Sequence, residues 1–237
     1  MNYQEEGSYA MPSLVAAAHE LKAPLVLVRQ LGFALQDDSL TADQRRKLHD
    51  QIILTSERSL RLTADLTKVA RLEDAMFELE PVNPEQICRD VSAELAPLFE
   101  AHGRSLTVKC RKHPLLTVAN RDLLRRIVLH FTDNSLYYSQ PGMPVELQIQ
   151  ALRSLGAVRI GVRDFGPALP SSVWRDLQTR LAHSVQPVHA RPESSGLGLY
   201  ISSQFAEVMN GKIGAVRHRD GATFYVDLPA SYQLSLL

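Results

Sequence analysis

Two cysteines in 237 residues are too few for a disulfide framework. Cys88 falls in a helical pattern and Cys110 at the end of an apolar, strand-like run. Both therefore read as buried, reduced core thiols, which points to the cytosol. Net charge is missing too: 26 basic residues balance 26 acidic ones, with no block of like charge. A neutral chain has no electrostatic reason to take nucleic acid or an anionic membrane as its main partner. No run approaches the roughly 20 apolar residues that a spanning helix needs. The opening MNYQEEGSYA has neither the positive n-region nor the apolar h-region of a signal peptide. The expectation is a chain that is soluble by itself and cytoplasmic. Internal repeats and low-complexity tracts are absent as well.

What the chain does have is apolar residues, 45% of the total against 22% charged. That is enough to build one large domain or two small ones with proper cores. From Ser13 to Gln36, Leu14, Ala18, Leu21, Leu25, Val28, Leu31 and Leu35 recur at steps of three and four, which predicts a helix with one apolar stripe. Asp37-Asp38-Ser39 breaks the pattern. Thr41 then caps a second helix, with Gln44 as its capping-box partner, running to about Glu73. Two long helices on a short connection make an antiparallel hairpin. A lone hairpin cannot bury its stripe, so a second copy completing a four-helix bundle is expected.

The composition changes at Met76. FELEPVNP alternates like a strand and ends in prolines, which fits a linker over 76–83. Beyond it the chain reads as a helix (Glu85 to Ala101), strands (Leu106 to Cys110, Leu115 to Ala119) and a helix (Arg121 to Tyr138). Strands from Val145 to Leu152 and Val158 to Val162 follow, then a helix near Trp174 and a loop rich in Pro, His and Ser. A helix from Leu197 to Met209 and strands Lys212 to Val216 and Ala222 to Leu228 complete the pattern. Strands mixed with helices of this length predict a sheet with helices on one face.

Five short motifs carry chemistry. His19 in HELKAPL has Glu20 beside it, which can hold one ring nitrogen and leave the other as nucleophile. Pro24 removes a backbone donor just after it and bends the helix there. Asn134, in the helix HFTDNSLYYS, offers a carbonyl oxygen that suits Mg²⁺ when phosphates supply the other ligands. Asp164-Phe-Gly166 places a carboxylate at a strand end, where it can accept from an amino group such as that of adenine; D-x-G is also a common turn. Ser194-Ser-Gly196-Leu197-Gly198-Leu199 opens a helix, and backbone N–H groups there can meet an anion. Asp220-Gly-Ala-Thr223-Phe lies between the last two strands, where a plain hairpin turn is the bland alternative.

The order of these motifs is more specific than any one of them. It resembles the H, N and three G boxes of sensor histidine kinases, over about residues 12 to 230. The resemblance implies an α+β chain: a HisKA-type antiparallel helical hairpin that forms a dimeric four-helix bundle, then an α/β sandwich of the Bergerat (GHKL) ATP-binding type shared with gyrase, Hsp90 and MutL. It implies a tail over 1–11, a dimerisation and phosphotransfer domain over 12–75, the 76–83 linker as pivot, an ATP-binding domain over 84–232 and a tail over 233–237. It implies autophosphorylation of His19 assisted by Glu20, with ATP and Mg²⁺ as cofactors and Asn134 as the metal ligand. Asp164 would contact adenine, Thr223 would help to line its pocket, Gly196 and Gly198 would lie against the phosphates, and Tyr138, Gly166, Leu197 and Leu199 would also belong to the cofactor-binding site. The expected partners are a homodimeric second copy and the receiver domain of a response regulator, to whose aspartate the phosphate passes.

The sequence departs from the family pattern at named places. His130 stands where the N box usually begins with Asn, and Tyr137 where a Lys is usual. Ala168 and Ser194 replace glycines, and Trp174 and Leu177 replace paired aromatics. With that Lys absent, one of two arginines, Arg191 in the loop before Gly196 ahead of Arg180 in the helix before it, is expected to fold over ATP. Ala23, four residues after His19, stands where Thr or Asn is common. An ATP-binding pseudokinase that works by docking is the alternative reading. Another ATPase of the superfamily fits less well, since His130 occupies the place of its catalytic Glu.

Overall fold

The structure, a computed structural model, describes residues 14–72, 77–110, 115–168, 170–183 and 197–231. The chain divides into two compact units, residues 1–75 and 76–237.

The first unit is a helical hairpin. Helix α1 (Leu14–Ala34) contains Pro24, and helix α2 (Ala42–Val69) packs against it. The turn between them is set by short-range chemistry. Asp37 Oδ1 accepts from Ser39 N at 2.9 Å. Thr41 Oγ1 accepts from Gln44 N at 3.2 Å while Thr41 N donates to Gln44 Oε1 at 2.9 Å, a complete capping box. Arg45 Nη1 donates to Leu35 O at 3.0 Å, so the first turn of α2 satisfies a carbonyl left unpaired at the end of α1. Taken alone, the hairpin leaves large apolar side chains in water: Leu25 is 62% exposed, Phe33 63%, Ile53 56% and Leu60 70%.

The second unit is a sheet with helices on one face. Strand β1 (Glu80–Val82) pairs antiparallel with β3 (Thr117–Ala119). Helix α3 (Pro84–Ala101) starts at Asn83, whose side chain accepts from Glu85 N at 2.9 Å, with Pro84 at the first helical position. Strand β2 (Ser105–Cys110) precedes β3, and helix α4 (Arg121–Tyr138) follows it. Strands β4 (Pro144–Leu152) and β5 (Ala157–Asp164), helices α5 (Ser171–His183) and α6 (Leu197–Val208), and strands β6 (Lys212–His218) and β7 (Gly221–Pro229) complete the unit. The large sheet runs β2-β4-β5-β7-β6, with β2 and β4 parallel and the other pairs antiparallel.

Alternation along the strands sends apolar residues to the helix-covered face. Leu147, Ile160 and Val226 from the sheet are buried, as are Ile87 and Phe99 of α3, Ile127 and Phe131 of α4, and Ile201 and Phe205 of α6. Each such side chain contributes about 1.5–3 kcal/mol on leaving water. Phe131 meets Phe224 with ring centroids 6.2 Å apart. The other face is polar. Arg159 there forks onto Asp227 at 2.7 and 2.8 Å and stacks on the Tyr225 ring.

Two expectations change. Strand β5 runs to Asp164, two residues past Val162, so the carboxylate belongs to the strand itself. Cys88 is fully buried, but Cys110 is only half-buried, because it ends an edge strand with a neighbour on one side. Burial above all, with Cys110 and Glu85 nearby, pushes the Cys88 thiol up to about 12. Burial and the Glu85 carboxylate push Cys110 up to about 11. Both stay protonated at neutral pH. Among the described residues no helix is long and apolar enough to cross a membrane.

Candidate nucleotide site

Helix α4 is the hub of the site. Asn120 caps it, accepting from Leu123 N at 3.1 Å. His130, Asn134 and Tyr138 are spaced by four, so they form one stripe along the helix, and all three are half-buried. Their neighbours Phe131, Thr132, Ser135 and Leu136 are buried. The stripe is thus the boundary between the core and an accessible surface.

Each end of the stripe meets a different element. At His130, the Nδ1 atom lies 3.1 Å from Ser202 Oγ on α6. A Cβ added at Gly198 would come within 3.9 Å of the His130 Cβ and Cγ atoms, so the first turn of α6 lies over the imidazole. At Tyr138, the helix end is fixed by Arg104, whose Nη2 donates to Ser139 O at 2.6 Å. Gln140 N donates to Phe165 O at 2.9 Å. Gly166 sits so close that any Cβ there would run into the Tyr138 carbonyl oxygen. The turn after β5 is therefore seated on the end of α4, which carries Asp164 to that end of the stripe.

Asp164 is 4% exposed, and its Oδ1 accepts from Ala222 N at 3.1 Å. The β5–β7 register pairs Asp164 with Ala222 and Arg163 with Thr223. Successive strand residues face opposite ways. Thr223 consequently projects with Arg163 on the polar face, where its Oγ1 lies 2.9 Å from His218 Nε2. This corrects the expectation that Thr223 lines the pocket beside Asp164: the residue across from Asp164 is Ala222, which has no hydroxyl. Nothing local distinguishes the two positions, because the choice depends on which strand residue falls opposite Asp164.

The remaining expected residues fall as follows. Leu197 and Leu199 are buried, so these two leucines of the G-L-G-L run anchor α6 in the core. Gly198 stands in the first turn of α6. Gly196 and Arg191 lie outside the described residues, as do the other residues of 184–196. His19 and Glu20 fall within α1, and the described side chains of that helix begin at Leu21. Among the described residues no group of three His, Cys, Asp or Glu side chains is arranged to hold a metal ion. Asn134 offers one hard oxygen donor on an accessible stripe, which fits Mg²⁺ carried with phosphates rather than a cage built by protein.

The arrangement can receive a ligand with an amino group at one end and an anion at the other. A buried carboxylate stands near the end of α4, and a helix N-terminus lies over His130 at the opposite end of the stripe. Residues 119–232 match the family described as histidine kinase-, DNA gyrase B- and HSP90-like ATPases. That segment is an ATPase-family domain of this type. Over 89% of its length the chain is similar to the histidine protein kinase SaeS of Staphylococcus aureus, at 24% identity. The chain covers 61% of that relative, so it spans about three-fifths of the length of the curated relatives it matches. Among solved structures, full-length ShkA in complex with AMPPNP superposes with a TM-score of 0.62 at 24% identity, covering 95% of this chain and 48% of that one. Histidine kinase ThkA in complex with response regulator protein TrrA also gives 0.62, at 15% identity, covering 90% of this chain and 60% of that one. These likenesses carry the fold beyond the ATPase-family domain. A helical hairpin followed by this domain is the fold the chain shares with these solved structures.

Proposed function

We propose that the chain is the catalytic core of a two-component histidine kinase, which autophosphorylates His19 from ATP and passes the phosphate to an aspartate of a response-regulator receiver domain. In this reading 12–75 is the dimerisation and phosphotransfer domain and 84–232 the ATP-binding domain, and the 76–83 linker ends in strand β1, which pairs with β3 of that domain. The observation that carries the nucleotide part is the buried Asp164 carboxylate at a strand end, held by the Ala222 amide. Such an acceptor suits the 6-amino group of adenine, and the half-buried stripe of α4 leads from it to the N-terminus of α6, which suits the phosphates. Asn134 on that stripe holds the Mg²⁺, which when bound with ATP offsets charge on the phosphates. His19 is the nucleophile toward the γ-phosphorus, and Glu20 takes or orients the proton on the other ring nitrogen. Arg191 or Arg180 would supply the cation that is missing where Tyr137 stands for the usual lysine.

A homodimer through the hairpin is supported by the exposed apolar side chains of both helices. A receiver domain as partner is supported by the ThkA likeness, whose structure contains a response regulator. A docking pseudokinase is the second reading, favoured by the departures from the family pattern at His130, Tyr137, Ala168 and Ser194. The experiment that separates the two is incubation of the purified chain with γ-labelled ATP. Acid-labile, alkali-stable label on the parent and none on His19→Ala, with ATP binding unchanged, is the expected result. No label on the parent would leave the scaffold reading.

A further inference from the structure

Arginine is rarely buried, and a buried guanidinium has to be matched by acceptors on every side. Arg163 is 7% exposed. It directly precedes Asp164 on β5, so its side chain leaves the sheet on the face opposite to the Asp164 carboxylate. Its partners converge on one small region. Nη1 donates to the Asp164 carbonyl oxygen, and Nη2 donates to Asp220 Oδ1 at 2.5 Å. The guanidinium carbon lies 4.2 Å from the centre of the Phe165 ring, the next residue of the same turn. The Asp220 and Ala222 carbonyl oxygens each lie 3.5 Å from Nη1.

These contacts tie together two segments that also meet on the other face. Ala222 N donates to Asp164 Oδ1, so the hairpin turn that Arg163 grips is the turn that aims the carboxylate. The fit between them is tight. Gly221 has φ +135°, and a Cβ there would lie 2.6 Å from Arg163 Nη1 and 2.7 Å from Asp164 Oδ1. The glycine therefore allows the close approach through which the guanidinium and the carboxylate share one turn.

We propose that Arg163, with Asp220, is a positioning residue for adenine recognition: it acts from the polar face of the sheet and holds the β6–β7 turn and the Asp164 backbone so that the carboxylate meets the 6-amino group. The proposal rests on the reading of Asp164 as the adenine acceptor. A directed acceptor discriminates between purines only if its direction is held. Loss of the guanidinium releases Asp220 and the Asp164 carbonyl, and the Ala222 amide moves with the turn.

The test is binding of two nucleotides to the full chain by calorimetry with Mg²⁺: ADP, and purine riboside 5′-diphosphate, which lacks the 6-amino group. The parent should bind ADP at least about tenfold tighter, as one hydrogen bond to a charged group contributes. Arg163→Met should weaken ADP about tenfold and leave the purine analogue nearly unchanged, so that discrimination collapses. Arg163→Lys should restore part of it. Asp220→Asn, at a side chain 66% exposed, should fold normally and give a smaller loss in the same direction. Equal weakening of both nucleotides, or none, in Arg163→Met and Asp220→Asn would overturn the positioning role and leave Arg163 as a sheet stabiliser. A parent that does not discriminate, together with an Asp164→Asn variant that binds ADP as the parent does, would overturn the adenine reading itself.

Discussion

Gly166 packs against the carbonyl oxygen of Tyr138 with no room for a side chain. The contact is with backbone at the end of α4, so rotation of a side chain cannot relieve it. Gly166→Ala should therefore move the turn after β5 and cost about 1–3 kcal/mol, the usual range for overpacking a filled site. Urea unfolding measures the loss, and ADP affinity should fall with it because Asp164 lies two residues away. An unchanged urea midpoint would show that the turn can shift freely.

His218 gives the polar face a pH dependence. Burial holds its imidazole below the ordinary histidine value of 6.5, and the Arg163 charge adds to this while Asp220 opposes it. The ring faces the Thr223 hydroxyl, Arg163 and Asp220. A depressed histidine favours the folded state when neutral. That stability is complete above 6.5 and is lost as pH falls from 6.5 toward the lower folded value, since the unfolded chain takes up the proton first. The parent's urea midpoint should fall over that window, and His218→Gln should flatten the fall. Parallel curves for the two proteins would refute it.

Ile53 and Leu60 are seven residues apart on α2 and both exposed, so they share one face of the helix. On the dimer reading this face is buried by a second copy. Leu60→Glu should shift the chain from dimer to monomer in sedimentation equilibrium, with little change in ADP binding by the other unit. A parent that sediments as a monomer at micromolar concentration would remove the four-helix bundle.

Ala23 lies in α1, one helical turn beyond His19 and exposed. In the family pattern a Thr or Asn at this place positions the water that attacks the regulator's phosphoaspartate. Alanine has no donor or acceptor for that water. On the kinase reading, the chain should therefore dephosphorylate a partner regulator weakly or not at all while still labelling His19. Adding the unphosphorylated chain with ADP to phosphorylated regulator tests this, and Ala23→Thr should raise the rate. Rapid loss of phosphate with the parent chain would show that another side chain, such as Lys22 or Gln30, supplies the group.

The helices were legible because their signals are local. The Thr41–Gln44 capping box and the α4 span from Arg121 to Tyr138 stand in the structure where the pattern of residues puts them. Periodicity and caps act over three or four residues, and tertiary contacts at these positions reinforce them. Asp164 was legible as a candidate acceptor because a D-x-G at the end of an apolar strand is also a short-range signal.

The sheet register was not local. Asp164 Oδ1 and the Ala222 amide are 58 residues apart, and a slip of one position would bring Thr223 to the carboxylate in place of Ala222. Only the pairing of β5 with β7 decided which of them faces Asp164. The burial of Arg163, the closeness of Gly221 and Gly166, and the contact of His130 with Ser202 were decided in the same way. Amino-acid order by itself determined which segments are helices and strands and which polar residues the ATPase-family segment carries. Tertiary structure alone decided which side of the sheet each of those residues serves, because a pleated strand alternates faces at every residue and the register is set by the whole core.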